Sequence, residues 1–122
     1  MSDKPSVYQY RHYVDFLREV YRGLASRNPA FSLRAFSRWL GYPRSHNYAS
    51  LVMTGQRRLT YDSAMRICRT LNLSDEERDY LLFLLALNNQ HNPLSQDALK
   101  KCLQYILKEH ADTSPSEPSA EN

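Results

Sequence analysis

The sequence has few of the groups on which catalytic and metal sites usually depend. Its two cysteines, Cys68 and Cys102, are not part of a CxxC pair, so neither a disulfide framework nor a zinc site is expected. The three glycines are too scattered for a phosphate-binding loop, and the four histidines do not follow HExxH spacing. We therefore expect no metal, no cofactor and no enzymatic activity.

Long apolar runs are also missing. The longest, from Tyr80 to Leu87, is far shorter than the ~18 residues that indicate a membrane span, and residues 1–12 do not resemble a signal peptide. The 122 residues, 42% apolar and 24% charged, have the composition of one globular domain with tails. We expect a cytoplasmic protein with no membrane partner.

Acidic side chains are scarce in the middle of the chain. Residues 32–70 carry seven basic side chains and one acidic one, a net charge of +6. Residues 71–122 carry four basic and nine acidic side chains, a net charge of −5. A local excess of positive charge suits a polyanion such as nucleic acid, although a solvated arginine face gives the same pattern.

Hydrophobic periodicity predicts an all-α chain of five or six helices. An extended N-terminal arm is expected at 1–9 and a helical domain at 10–89, with its first helix at 10–26. A C-terminal helix, capped by Ser95, is expected within 90–110, and a disordered tail at 111–122. Ser74 and Glu77 have capping-box spacing, which predicts a helix start at residue 75. Thr60 is the expected cap of the helix before it, over 61–71.

Helical spacing also predicts which residues of three helices are buried. The stripes are expected at Tyr13, Phe16, Leu17, Val20 and Leu24 of the first helix, at Ala64, Ile67, Cys68 and Leu71 of the fourth, and at Leu99, Cys102, Leu103, Ile106 and Leu107 of the C-terminal helix.

The stretch from Phe31 to Leu59 predicts a helix-turn-helix. Ser32 is a suitable N-cap for a first short helix, and Pro43 disfavours helical geometry at the residue before it, which ends that helix near Gly41. Ser45 is the expected cap of a second helix over about 45–54, which Gly55 closes in the left-handed conformation. Two short helices joined by about four residues that include Gly form this motif. The apolar face of the first helix is expected at Leu33, Phe36 and Leu40, with Arg34, Ser37 and Arg38 outside it.

Two families resemble this sequence. The segment from Ala49 to Thr60, followed by Leu71-Asn72-Leu73-Ser74, resembles the second half of lambda-repressor-like (XRE-type) helix-turn-helix domains. Pro5 to about Asn89 is similar to a narrower bacterial family of helix-turn-helix proteins with a PSV-(F/Y)-x-Y…FLR motif, a GxRxL(S/T) motif and an LxLSxxERxY motif. His12 stands where that family usually has Asp, and longer members continue beyond this length. The resemblance implies a lambda-repressor-like domain in a bacterial DNA-binding transcription regulator.

A recognition helix presents the residues at its N-terminus to base edges in the major groove of double-stranded DNA. The candidates for base contacts are Arg44, Ser45, His46, Asn47 and Ser50. The candidates for phosphate contacts are Ser32, Arg34, Arg38, Arg57 and Arg58. Ala49 and Val52 are expected to be buried, whereas spacing alone does not decide whether Tyr48 faces the bases or the core.

A protein-binding adaptor built on the same fold is the alternative function, because a fold does not fix a function. The helix around 80–87 is apolar on nearly all sides and therefore needs a cover. The C-terminal helix, with an apolar stripe at 99–107, either folds back over it or pairs with a second copy. Besides double-stranded DNA, the candidate partners are therefore a second copy of the chain, through 80–87 and 99–107, and another protein.

Overall fold

The computed structural model describes residues 6–113, and the fold within this range is all-α with no strand. A 3-10 turn at Val7–Gln9 precedes six α-helices. The helices are α1 (Tyr13–Arg27), α2 (Leu33–Trp39), α3 (Tyr48–Met53), α4 (Tyr61–Thr70), α5 (Asp75–Asn88) and α6 (Pro93–Thr113). The chain divides into two compact units between Asn89 and Gln90. They are described separately.

Three of the predicted helix starts are confirmed by side-chain caps. The Ser32 hydroxyl accepts a hydrogen bond from the Ala35 amide, 3.1 Å away. Thr60 caps α4 in the same way. At α5 the Glu77 amide donates to the Ser74 hydroxyl, 3.1 Å away, and the Ser74 amide donates to the Glu77 carboxylate, 2.8 Å away. Each cap satisfies an amide that has no partner inside its own helix.

Residues 7–9 of the predicted N-terminal arm form a 3-10 turn, where an extended chain was expected. Val7 is fully buried, and the Tyr8 ring lies 5.0 Å from the Tyr80 ring of α5. The Tyr80 hydroxyl donates to the Tyr10 carbonyl at 2.6 Å. The residues 7–10 therefore cover part of the apolar α5 helix, and residues 1–5 of the predicted arm lie outside the described range.

These contacts also explain why α1 starts at Tyr13 and not at residue 10. Residues 7–9 form the 3-10 turn, so the chain re-enters a helix only after His12. The His12 ring accepts from the Val14 amide at 3.2 Å and caps the helix. On its inner face, Phe16 and Leu17 are fully buried, as the helical stripe predicted. α1 contacts both α3 and α5, so it connects the predicted helix-turn-helix with the apolar α5 helix.

In the second unit, α6 differs from the prediction at both ends. It starts at Pro93, because the Asn92 side chain accepts from the Ser95 amide at 3.0 Å and Pro suits the first helical position. Ser95 is therefore not the cap. At the other end, residues 111–113 continue the helix, and the rest of the predicted disordered tail lies outside the described range. No helix of the described chain is both long and apolar enough to cross a membrane.

Candidate nucleic-acid interface

One buried hydroxyl joins the two helices of the predicted helix-turn-helix. Ser37 of α2 was expected outside the apolar face, but it is fully buried. Its hydroxyl accepts from the Ala49 amide of α3 at 2.9 Å and lies 3.2 Å from the His46 carbonyl and 3.1 Å from the Leu33 carbonyl. Ser37 therefore fixes the start of α3 against α2. Ala49 and Val52 are fully buried there, as expected.

The turn between α2 and α3 is longer than the sequence suggested. Gly41 has a φ of +101°, and the Tyr42 amide donates to the Ser37 carbonyl at 2.9 Å. The Ser45 amide then donates to the Tyr42 carbonyl at 3.2 Å, and the Tyr48 amide donates to the Ser45 carbonyl at 3.1 Å. These bonds belong to turns, so the predicted recognition helix at 45–54 is reduced to Tyr48–Met53. Ser45 is not its cap.

The position of Tyr48, which spacing did not decide, is in the core. Its ring is fully buried and stacks on Tyr42 with the ring centroids 3.9 Å apart. Its hydroxyl accepts from the Thr60 amide at 3.0 Å, which ties α3 to the start of α4. The Arg57 guanidinium lies 4.8 Å from the centroid of the Tyr48 ring and 5.5 Å from that of Tyr42. A cation at these distances is attracted to the ring faces.

The candidate base-contacting residues lie mostly before α3. Arg44, His46 and Asn47 are exposed, and Ser45 and Ser50 are half-buried. Asn47 is the N-cap of α3 but makes no side-chain capping bond, so its amide group is not used by the helix. The structure therefore brings four of these candidates together in residues 44–47, and only Ser50 lies within α3.

The candidate phosphate-contacting residues lie on or beside α2 and after the end of α3. Arg34 and Arg38 are one turn apart on the exposed side of α2, whereas Arg57 and Arg58 follow α3 and are also exposed. Within residues 6–113, Arg34 and Arg38 form no ion pair with an acidic side chain, and the same holds for Arg44. The Ser32 hydroxyl is exposed but already accepts the capping bond of α2.

Two arginines that the sequence reasoning did not select hold the ends of these helices. Arg18 of α1 donates to the Met53 carbonyl, the last of α3, at 2.9 Å. Arg66 of α4 donates to the Trp39 carbonyl, the last of α2, at 3.3 Å. A positive charge is favourable at a helix C-terminus, where carbonyl groups lack partners inside the helix. Both contacts join distant parts of the sequence, so helical periodicity gives no sign of them.

An open groove of about 630 Å³ borders α3 on the side of α1. Its apolar lining comes from three helices, with Tyr21 and Ala25 of α1, Leu33 of α2 and Met53 of α3. Leu33 was expected in the apolar core face of α2, yet 37% of it is exposed at this groove. Ser50, one of the candidate base contacts, also lines the groove.

The described residues include no group of three or more His, Cys, Asp or Glu side chains that could hold a metal ion. Comparison with models of known protein families, with curated proteins and with solved structures finds no match to this chain. The site is therefore described by its own geometry. It combines the buried Ser37 hydroxyl that joins α2 to α3, a turn with exposed polar side chains at 44–47, and exposed arginines on α2 and after α3.

Proposed function

We propose that the protein binds double-stranded DNA through the α2–turn–α3 unit and acts as a cytoplasmic transcription regulator. The observation that carries the proposal is the set of exposed arginines, Arg34, Arg38 and Arg44, that have no acidic partner in the described chain. Residues 32–70 offer one acidic side chain for seven basic ones. Phosphate groups supply the missing counter-charges, and neutralising them releases the counterions bound to DNA.

In this proposal, one group of residues contacts the bases and another contacts the phosphates. Arg44, His46 and Asn47 are exposed next to the start of α3 and would face base edges, where Arg suits guanine and Asn suits adenine. Arg57 is held against the Tyr42 and Tyr48 rings, so its guanidinium is oriented before a phosphate arrives. Because α3 has only six residues, the loop before it contributes more of the reading than the helix itself.

Titration of a random-sequence duplex across a salt series tests the proposal. Each phosphate contact contributes about −0.9 to the slope of log affinity against log salt concentration, so contacts from the four arginines Arg34, Arg38, Arg57 and Arg58 give a slope of about −3.6. Arg38→Ala should lower the affinity for every duplex and reduce the magnitude of the slope by about 1. Asn47→Ala should keep the slope and weaken the preference between selected sequences.

Arg78→Ala is the matched control for these variants. The Arg78 side chain is half-buried, and its guanidinium pairs with Asp75 and Asp79 at the acidic start of α5. The Arg78→Ala variant should leave the affinity for DNA and its salt slope unchanged. If the protein does not bind a duplex even at low salt, or if the Arg38 and Arg78 variants lose affinity equally, the proposal is wrong.

The groove supports a second candidate function, a protein-binding adaptor. Its apolar lining includes Leu33, one of the few large hydrophobic side chains in the described chain that are markedly exposed. An exposed apolar patch of this kind is typical of a partner site. Ala25→Glu places a charge in the groove, at a residue outside the proposed DNA contacts. It should abolish capture of a protein partner and leave DNA affinity unchanged, whereas Arg38→Ala should have the opposite pattern.

A further inference from the structure

One exposed face of α6 carries an apolar stripe. Leu94 is 81% exposed and Tyr105 is 67% exposed, and they are two of only four large hydrophobic side chains that are markedly exposed in the described chain. At about 100° per residue, Leu94, Ala98 and Tyr105 point within about 40° of one another, and Cys102 lies at the edge of the same face. Ala98 and Cys102 are also exposed. The stripe predicted at 99–107 had included Cys102, which lies instead on this exposed face.

Opposite charges flank the stripe on one side. Asp97 and Lys108 lie along the same edge of the helix, separated by eleven residues or about 16 Å, and both are exposed. Neither forms an ion pair within residues 6–113. Each therefore remains available to an opposite charge on another molecule.

We propose that α6 pairs with α6 of a second copy in antiparallel orientation, centred near Cys102. In this arrangement Tyr105 of one copy lies on Ala98 of the other, so that a large side chain meets a small one. Asp97 of each copy then lies at the height of Lys108 of the other, which forms two symmetric ion pairs. The two Cys102 residues meet at the two-fold axis. In a parallel pairing each residue lies opposite the same residue of the other copy, so Asp97 of one copy and Lys108 of the other remain about 16 Å apart.

The size of the stripe sets the strength of this dimer. It extends over about three turns of helix, and an interface this small belongs to the weak, reversible class. Lys101 lies near the two-fold axis, so the Lys101 side chains of the two copies are close together and repel each other. The surface also differs from the one suggested by the sequence. On α5, Leu81, Leu84 and Leu87 are buried in the structure, so they offer no surface to a second copy.

Sedimentation equilibrium of the full chain under reducing conditions, from about 10 μM to about 1 mM, tests the pairing. The wild type should change from monomer to dimer across this range. Asp97→Lys and Lys108→Asp should each weaken the dimer about tenfold, because two ion pairs are replaced by two repulsions. The double variant Asp97→Lys with Lys108→Asp should return to the wild-type constant, and Lys101→Gln should strengthen the dimer. These side chains are exposed, so unchanged circular dichroism spectra should confirm that all variants fold.

Disulfide trapping provides an independent measurement. Diamide accepts two electrons and two protons from two Cys102 thiols, which form one disulfide between the copies. The wild type should be trapped faster than Asp97→Lys, in which the same thiol is equally exposed, and Cys102→Ser should not be trapped. A chain that remains monomeric at about 1 mM, or a double variant that is no stronger as a dimer than the single ones, would overturn the pairing. Neither measurement involves DNA, so the result is independent of the proposed function.

Discussion

The buried hydroxyl of Ser37 provides the most direct test of how the site is built. In the Ser37→Ala variant the Ala49 amide loses its partner at 2.9 Å and the His46 carbonyl loses one at 3.2 Å. Ser37 is fully buried, so water does not replace the hydroxyl without displacing other atoms. A buried polar group left without a partner costs about 1–3 kcal/mol. The amide alone therefore predicts a loss of about 2 kcal/mol in the free energy of unfolding.

Urea denaturation followed by circular dichroism measures this loss. Ser26→Ala is the matched control, because the Ser26 hydroxyl also bonds to a carbonyl of its own helix, Gly23 at 2.8 Å, but is exposed. Its effect should stay within about 0.5 kcal/mol. The Ser37 variant should have the same m-value as the wild type, since the same surface is exposed on unfolding. If Ser37→Ala and Ser26→Ala lower the free energy of unfolding equally, the Ser37 hydroxyl does not stabilise the contact between α2 and α3.

Other predictions concern glycine and ionisable side chains. Gly41→Ala should destabilise the fold by about 1–2 kcal/mol, because φ is +101° and the added Cβ would lie 2.9 Å from Cδ of Arg66. Gly23→Ala, in the α1 interior with no atom within 4 Å of the added Cβ, should instead stabilise it by about 0.5–1 kcal/mol. Burial raises the pKa of the Cys68 thiol above 9.0 and that of the Tyr80 phenol above 10.0. The folded chain holds these protons to higher pH than the unfolded one, so the contribution of these two groups to stability should be fully present below pH 9 and decrease above it. Cys68→Ala should make that fall shallower in urea titrations from about pH 8 to about pH 10.5, whereas an unchanged profile would contradict the assignment.

Local signals in the sequence were sufficient for most of the fold. The caps at Ser32, Thr60 and Ser74 depend on residues three positions apart, and all three form as predicted. The positive φ of Gly55 likewise follows from the residue type. Helical periodicity gave most of the buried residues of α1 and α4, because a helix that packs on one side repeats its apolar positions, but it did not predict burial of Val14 and Ser63.

The candidate site was less predictable because its key contacts join separate elements. Ser37 was interpreted as a solvent-facing residue, since periodicity treats a hydroxyl as polar and does not show an amide from α3 that needs an acceptor. Ser45 is as good a cap as Asn47 by residue type. The actual start of α3 at Tyr48 comes with stacking of the Tyr48 ring on Tyr42, a contact that residue type at the cap position does not indicate. The Arg18 bond to Met53 spans 35 residues and has no local signal.

The surfaces used by the two candidate functions overlap, so only some variants can distinguish DNA binding from protein binding. Ser50 is a candidate base contact and also lines the apolar groove, so a protein in the groove would cover part of the surface that DNA requires. A variant at Ser50 would therefore weaken either kind of binding and separate neither. Arg38 lies on the exposed side of α2 and does not line the groove, whereas Ala25 lines it from α1. Because each residue belongs to only one of the two surfaces, the pair of variants distinguishes a DNA-binding regulator from an adaptor, and loss of both activities in one variant would indicate a general loss of folding.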